Sequence, residues 1–99
     1  MQLLTKELLL KFEQIGRQDD EKDPIVVCKF FDPTGAGTWY ATEYDPKSGV
    51  FFGFVTGLGF DEWGYFCLDE LESVRLRFVL KIERDLYFEP QRISEAVPD

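Results

Sequence analysis

The hydrophobic positions near the start of the chain recur with a helical period. Leu8, Phe12 and Ile15 are spaced so that they fall on one face of a helix. Thr5 precedes this segment as a suitable N-cap, and Gly16 follows it as a typical helix stop. The pattern therefore predicts an N-terminal helix between these two residues, followed by a polar, mostly acidic linker.

From residue 25 onward the pattern changes to that of β-strands. β-Branched and aromatic residues dominate three segments, 25–31, 38–44 and 50–56, and turns rich in Gly and Pro separate them. Connections this short favour antiparallel hairpins, so we expect a meander in which the third strand is central.

The remaining pattern is less regular. In chain order it predicts a glycine-rich loop at 57–64, a short strand at 65–68, a brief helix at 70–74 after Asp69 as its cap, an ambiguous strand-like stretch at 75–82, and one helical turn at 94–97. The whole chain, residues 1–99, is predicted to form a single α+β domain. Its expected architecture is an antiparallel meander sheet of four to five strands with an N-terminal helix and one short helix near residues 69–75.

Charge and composition exclude several classes of function. Eleven basic residues against nineteen acidic ones give a net charge of −8, which disfavours direct nucleic-acid binding through phosphate neutralisation. The chain has no histidine, so catalysis by Ser-His-Asp or Cys-His groups and His-ligated metal sites are excluded. Cys28 and Cys67 are expected to be reduced, buried thiols. With neither a signal peptide nor a membrane span in the pattern, we expect a cytoplasmic protein.

Two pairs of carboxylates offer a candidate metal site. Glu43 and Asp45, like Glu83 and Asp85, are two residues apart, a spacing that places both side chains on one face of a strand. If the two strand ends were neighbours, the four carboxylates would suit Mg or Mn and support phosphodiester hydrolysis. The competing interpretation, which the sequence favours, is a salt-bridged strand end formed with Arg75, Arg77 and Arg84.

Four aromatic residues, Trp39, Tyr40, Trp63 and Tyr65, would suit a stacking platform for nucleic-acid bases. Such platforms lie in basic grooves, and residues 24–67 contain only two lysines. Core packing is therefore the better explanation for most of these rings. Trp63, in the predicted loop beside Glu62, is expected to be partly exposed and to serve as an interface anchor.

Four stretches carry a resemblance to a known family. They are Leu-Leu-Thr-Lys-Glu at 3–7, Trp-x-x-Thr-Glu at 39–43 followed by Phe-Gly at 52–53, Gly-Leu-Gly-Phe-x-Glu-x-Gly-Tyr at 57–65, and Glu-Arg-Asp-Leu-Tyr-Phe at 83–88. In this order they resemble a small bacterial family catalogued as domain of unknown function twenty-nine fifty-eight. The resemblance implies a protein common on plasmids, conjugative elements and phage-derived DNA, without an established activity, some of whose members are labelled single-stranded-DNA endonucleases. The matching polar positions are Glu43, Glu62, Tyr65, Glu83, Arg84 and Asp85.

Two hypotheses about function follow. The first is a non-enzymatic interaction protein of a mobile element, for example an anti-defence or DNA-mimic factor, which binds a protein partner through an acidic and aromatic surface and needs no cofactor. Its candidate binding residues are Glu43, Glu62, Trp63, Tyr65, Glu83, Arg84 and Asp85. The alternative is a nuclease for single-stranded DNA that uses Mg or Mn at Glu43, Asp45, Glu83 and Asp85. Independently of both, we expect Arg84 to form an ion pair with Glu43 or Glu62.

Overall fold

The computed structural model describes residues 1–73 and 81–98. Within these ranges the elements are α1 (Lys6–Ile15), β1 (Ile25–Val26), β2 (Cys28–Phe31), β3 (Thr38–Asp45), β4 (Val50–Thr56), β5 (Glu62–Cys67), α2 (Leu68–Ser73), β6 (Glu83–Arg84), β7 (Gln91–Arg92) and α3 (Ile93–Ala96). The mixture of helices with an antiparallel sheet confirms the predicted α+β class. Its longest described helix, α1, has ten residues, and none of the described helices is long and apolar enough to cross a membrane.

Helix α1 begins and ends where the sequence indicates. The Thr5 hydroxyl accepts a hydrogen bond from the backbone N–H of Leu8 at 3.2 Å, which satisfies one of the free donors of the first turn. Gly16 ends the helix at φ 71°, a conformation that favours glycine, and donates its N–H to the carbonyl of Phe12. Phe12 is buried against the sheet, with Leu8 and Ile15 beside it.

The main sheet contains five antiparallel strands in the order β5-β4-β3-β2-β6. Strands β2 to β5 form the predicted meander, and β6 pairs with the free side of β2. The register of β3 against β4 shifts between Ala41 and Glu43, which marks a β-bulge. Strands β1 and β7 form a separate two-stranded ladder near the C-terminus.

The core lies between one face of the main sheet and the elements that cover it, including α1, the N-terminal residues and Leu71 of α2. Phe51 in β4 is fully buried at its centre. Its ring centroid lies 4.6–5.8 Å from those of four other aromatic residues, namely Phe12, Phe30, Tyr44 and Phe66. Large rings supply much of the buried apolar area in a domain this small.

Three predicted boundaries differ from the structure. The predicted strand 25–31 is split at Val27, whose backbone N–H donates to Ala41 while β1 turns away to pair with β7. Strand β5 starts at Glu62, inside the predicted glycine-rich loop, because its ladder with β4 continues to the pair Val55–Glu62. Helix α2 covers Leu68–Ser73, so it starts before Asp69. Residue 74 of the predicted helix and residues 75–80 of the strand-like stretch lie outside the described residues.

Candidate functional site

The second face of the main sheet, opposite the core, carries a group of aromatic side chains. Since side chains alternate along a strand, the burial of Phe51 in the core places Phe52 and Phe54 on this opposite face. The register then aligns Trp63 with Phe54 and Tyr65 with Phe52 across β4 and β5. We call these four residues, Phe52, Phe54, Trp63 and Tyr65, the open aromatic face.

The four rings of the open aromatic face contact one another. Phe52 stacks on Trp63 with centroids 5.8 Å apart and meets Tyr65 edge-on at 5.0 Å, and Phe54 lies 5.2 Å from Trp63. Nevertheless, Trp63 is 42% exposed and Tyr65 is 78% exposed. Exposed aromatic rings that contact one another in this way make this face a candidate interaction surface.

Beside these rings, the segment between α1 and β1 forms the wall of a cleft. The Gln18 side-chain amide donates to the carbonyls of Ile25 and Thr42 at 2.8 and 2.9 Å and accepts from the Ile25 N–H at 2.7 Å. In addition, the backbone N–H of Gln18 donates to Glu43 Oε2 at 3.0 Å. The hydrogen bonds of this one glutamine thus hold the wall of the cleft against both β1 and the bulge of β3.

The cleft has a volume of about 340 Å³, and its floor contains Phe52, Trp63 and Tyr65. A second hollow of about 370 Å³ adjoins it, and Arg17, Glu43, Phe52 and Tyr65 line both. Volumes of this size suit a small ligand or one large side chain of a protein partner.

Charged groups line the cleft on its polar side. Its lining includes three carboxylates, Asp19, Glu21 and Glu43, against the two cations Arg17 and Lys22. Arg17 is 3.6 Å from Asp19, and both side chains are mostly exposed. Exposed pairs of this kind contribute little to stability.

Lys29 lies on the same face of the sheet as the open aromatic face, but on β2, where it pairs with Tyr40. Its ammonium lies 5.8 Å from the centre of the Tyr40 ring and 3.8 Å from a carboxylate oxygen of Asp85. Tyr40 is buried, and burial raises the pKa of its hydroxyl, with a further contribution from the negative charge of Asp61. This half of the face is therefore closed, and the exposed aromatic rings of this face are those on β4 and β5.

The structure separates the carboxylates that the sequence analysis combined. Glu83 pairs with Phe31, which pairs with Thr38 at the start of β3, whereas Glu43 and Asp45 lie at the end of β3. At about 3.3 Å per residue, Glu83 and Glu43 differ by roughly 15 Å along the strand direction, and Glu83 and Asp45 differ by more. In residues 1–73 and 81–98, no group of three or more Asp, Glu or Cys side chains is arranged to hold a metal ion.

Asp45 has a structural task in the turn that follows β3. Its carboxylate accepts from the backbone N–H of Lys47 and from the Ser48 hydroxyl, both at 2.9 Å. These hydrogen bonds lower the pKa of Asp45, the one from Lys47 most. The side chain is thereby occupied in holding the turn.

The predicted ion pair of Arg84 with Glu43 or Glu62 is wrong. Arg84 belongs to β6 and Glu62 to β5, the two opposite ends of the strand order, about 19 Å apart at the usual strand spacing. The guanidinium instead donates to the backbone carbonyl of Leu3 at 3.3 Å. It thus helps to hold the N-terminal residues against the sheet.

Of the seven candidate binding residues, three meet at the cleft: Glu43, Trp63 and Tyr65. Glu62 precedes Trp63 in the same strand, so its side chain lies on the opposite face of the sheet from that of Trp63. The segment Glu83, Arg84 and Asp85 lies at the far edge of the sheet. The seven residues therefore do not form one site.

The proposed stacking platform also divides. Trp39 packs against the core and Tyr40 is buried, whereas Trp63 and Tyr65 are open to solvent. Core packing, the explanation favoured from the sequence for most of these rings, applies to Trp39 and Tyr40, and the two exposed rings are those named as candidate binding residues. Phe52, Phe54 and Gln18 were not among the site residues predicted from the sequence. If β4 and β5 are taken as neighbouring strands, their alternating residues place the two phenylalanines on the same face as Trp63 and Tyr65, and the sequence could have indicated this. Nothing near Gln18 in the sequence indicates its distant hydrogen-bond partners.

Comparison with known protein families identifies the family of this chain. The family model described as "Protein of unknown function (DUF2958)" matches residues 2–96. No curated protein and no solved structure matches the chain.

Proposed function

The chain belongs to the DUF2958 family of proteins of unknown function, and from this premise we propose that it is a small, non-enzymatic interaction protein. It binds a protein partner with a basic surface through the open aromatic face and the carboxylates beside it. Its setting is the cytoplasm of a cell that carries a mobile genetic element. An anti-defence or DNA-mimic factor is one form of this function.

The observation that carries the proposal is the exposure of Trp63 and Tyr65 on a rigid sheet. Tyrosine and tryptophan are the residues that most often dominate the binding energy of protein interfaces. They sit here on paired strands, where the neighbouring rings restrict their rotation, so that little conformational entropy is lost on binding.

The net charge of −8 supports a basic partner. Charge of one sign accelerates the encounter with a surface of the opposite sign, and like charge disfavours other partners. Single-stranded nucleic acid is a weaker candidate, because proteins that stack its bases combine their aromatic rings with a basic groove. Here carboxylates outnumber cations in the lining of the cleft.

The experiment is a low-salt capture of partners from cells that carry the element, with matched tyrosine variants. Tyr65→Ala removes a ring of the open aromatic face, and Tyr87→Ala removes one that is 94% exposed elsewhere. We expect wild type and Tyr87→Ala to retain the same partner and Tyr65→Ala to lose it. Equal capture by all three proteins, or no partner at low salt, would contradict the proposal.

A further inference from the structure

The cleft combines aromatic rings with a carboxylate, and both are complementary to a cationic group. Its floor consists of the rings of Phe52, Trp63 and Tyr65, and Glu43 lines it together with the adjoining hollow. Aromatic rings attract cations to their faces, and a carboxylate attracts them by charge. We infer that this cleft receives an arginine side chain of the partner protein, an inference that rests on the proposed function.

Glu43 is arranged to take part in such a contact. Its Oε2 accepts from the backbone N–H of Gln18, which orients the carboxylate, and its Oε1 has no hydrogen-bond partner among the described residues. The side chain is half-buried, so its charge is screened less than that of a fully exposed group. No basic residue of the described chain lies within ion-pair distance of Glu43.

Arginine fits this arrangement better than lysine does. A guanidinium is planar and weakly hydrated, so it can stack on a ring while its N–H groups bond to a carboxylate. A lysine ammonium is compact and strongly hydrated, and loses more hydration in a half-buried cleft. The exposed rings of Trp63 and Tyr65 therefore favour the planar cation.

The charge of the surroundings favours the same ligand. Asp19, Glu21 and Glu43 line the cleft, and Asp45 lines the adjoining hollow. Of the two cations in the lining, Arg17 lies beside Asp19 and its side chain is 85% exposed. Together the two hollows carry four carboxylates against two cations, Arg17 and Lys22, and this excess favours a cationic segment over a phosphate backbone.

The test uses the full chain and a blocked peptide of alternating glycine and arginine. Binding is followed by the NMR signals of the two indole N–H groups, which distinguish Trp63 in the cleft from Trp39 at the core. We expect the Trp63 signal to shift on titration and the Trp39 signal to stay in place. The matching glycine-lysine peptide should bind about tenfold more weakly.

Two isosteric variants distinguish the effect of the charge in the cleft on peptide binding from the effect of the net charge of the protein. Glu43→Gln keeps an oxygen that can accept from Gln18 and removes the charge, while Glu7→Gln removes an exposed charge on α1 outside both hollows. We expect Glu43→Gln to weaken peptide binding about tenfold and Glu7→Gln to leave it nearly unchanged. Tyr65→Ala, at an exposed position, should also abolish the Trp63 shift.

Three results would overturn the inference: equal affinity for the arginine and lysine peptides, equal binding by the two glutamine variants, or tighter binding of oligothymidylate than of the arginine peptide. If Tyr65-dependent capture of a partner persists without any Trp63 shift, only the arginine inference fails. If capture does not depend on Tyr65, the proposed function itself fails.

Discussion

At the scale of single residues, Gln18 shows how one side chain can hold an irregular segment against a sheet. Gln18 lies between α1 and β1, in the segment that forms the wall of the cleft. A side-chain amide has one acceptor oxygen and two donor hydrogens. In Gln18 the oxygen and the nitrogen are both bonded to backbone groups, of Ile25 and Thr42. The segment between α1 and β1 has no regular strand hydrogen bonds, and the bonds of Gln18 take their place. They hold the wall of the cleft beside the open aromatic face.

We predict that Gln18→Ala destabilises the protein by about 1–3 kcal/mol, because it leaves backbone groups of Ile25 and Thr42 without partners. Urea denaturation measures the change. Gln14→Ala, at an exposed position on α1, is the matched control and should change the free energy of unfolding by less than about 0.5 kcal/mol. Equal midpoints for the two variants would show that the bonds of Gln18 do not stabilise the fold.

Cys28 is the most strongly perturbed titratable group among the residues that the structure describes. Burial raises the pKa of its thiol from 9.0 to about 12, and the positive charge of Arg84 opposes this only in part. The unfolded thiol therefore ionises at a lower pH than the folded one. Between those two pH values unfolding releases a proton, so stability falls as the pH rises.

We predict that wild type loses about 1–2 kcal/mol more free energy of unfolding between pH 8 and about pH 10.5 than Cys28→Ala does. Burial also raises the pKa of Tyr40 and Tyr44, and their contribution is common to both proteins and cancels in the comparison. Denaturant titrations at the two pH values measure the difference. Parallel losses in both proteins would refute the role of Cys28.

At the scale of elements, the β-bulge in β3 sets the geometry of the site. The register shift between Ala41 and Glu43 buries Thr42, whose hydroxyl donates to the carbonyl of Phe52 at 3.0 Å. Glu43 then pairs with Phe52 and lies beside the open aromatic face. A bulge redirects side chains in this way because one extra residue changes the alternation of the strand.

Close approach of β3 to β4 next to this bulge requires a glycine. A Cβ added to Gly53 would lie 2.0 Å from the carbonyl oxygen of Tyr40, whereas one added to its cross-strand partner Gly64 meets nothing within 4 Å. We predict that Gly53→Ala destabilises the protein by roughly 2 kcal/mol or more. Gly64→Ala should be neutral or stabilising, because alanine lowers the entropy of the unfolded chain. Thermal denaturation of both variants measures this, and similar losses would contradict the steric explanation.

At the scale of the whole molecule, the C-terminal elements are joined to the segment before β1. Ser94 donates its backbone N–H and its hydroxyl to the Asp23 carboxylate at 3.0 and 2.6 Å, and Ile93 donates to the carbonyl of Pro24. The hydrogen bond from the Ser94 hydroxyl is the main reason that the pKa of Asp23 is lowered below 3.8. The carboxylate form therefore holds these elements together.

A carboxyl group whose pKa is lowered by folding stabilises the fold above its unfolded value, and this contribution is lost as the pH falls through the folded value. For Asp23 the loss lies below pH 3.8. We predict that Ser94→Ala raises the pKa of Asp23 toward 3.8, as measured by NMR titration. Ser48→Ala, which removes a hydrogen bond to Asp45, should leave Asp23 unchanged. An unchanged Asp23 titration in Ser94→Ala would refute the coupling.

Local patterns were sufficient to predict most elements of this protein. The cap at Thr5, the stop at Gly16 and the short turns between β2, β3 and β4 depend on neighbouring residues alone, so the helix and the meander follow from the sequence. The fold class and the family resemblance were likewise available without coordinates, and both are confirmed. The exposure of Trp63 also agrees with the sequence analysis.

Only the tertiary structure decided which side chains meet. The order of the strands places β5 and β6 at opposite ends of the main sheet, which separates Arg84 from Glu62 and keeps the two carboxylate pairs apart. The bonds from Gln18 to Thr42 and from Asp23 to Ser94 likewise join residues distant in the chain. Strand order and register depend on how apolar faces pack in three dimensions, and the spacing of residues along one chain does not contain that information.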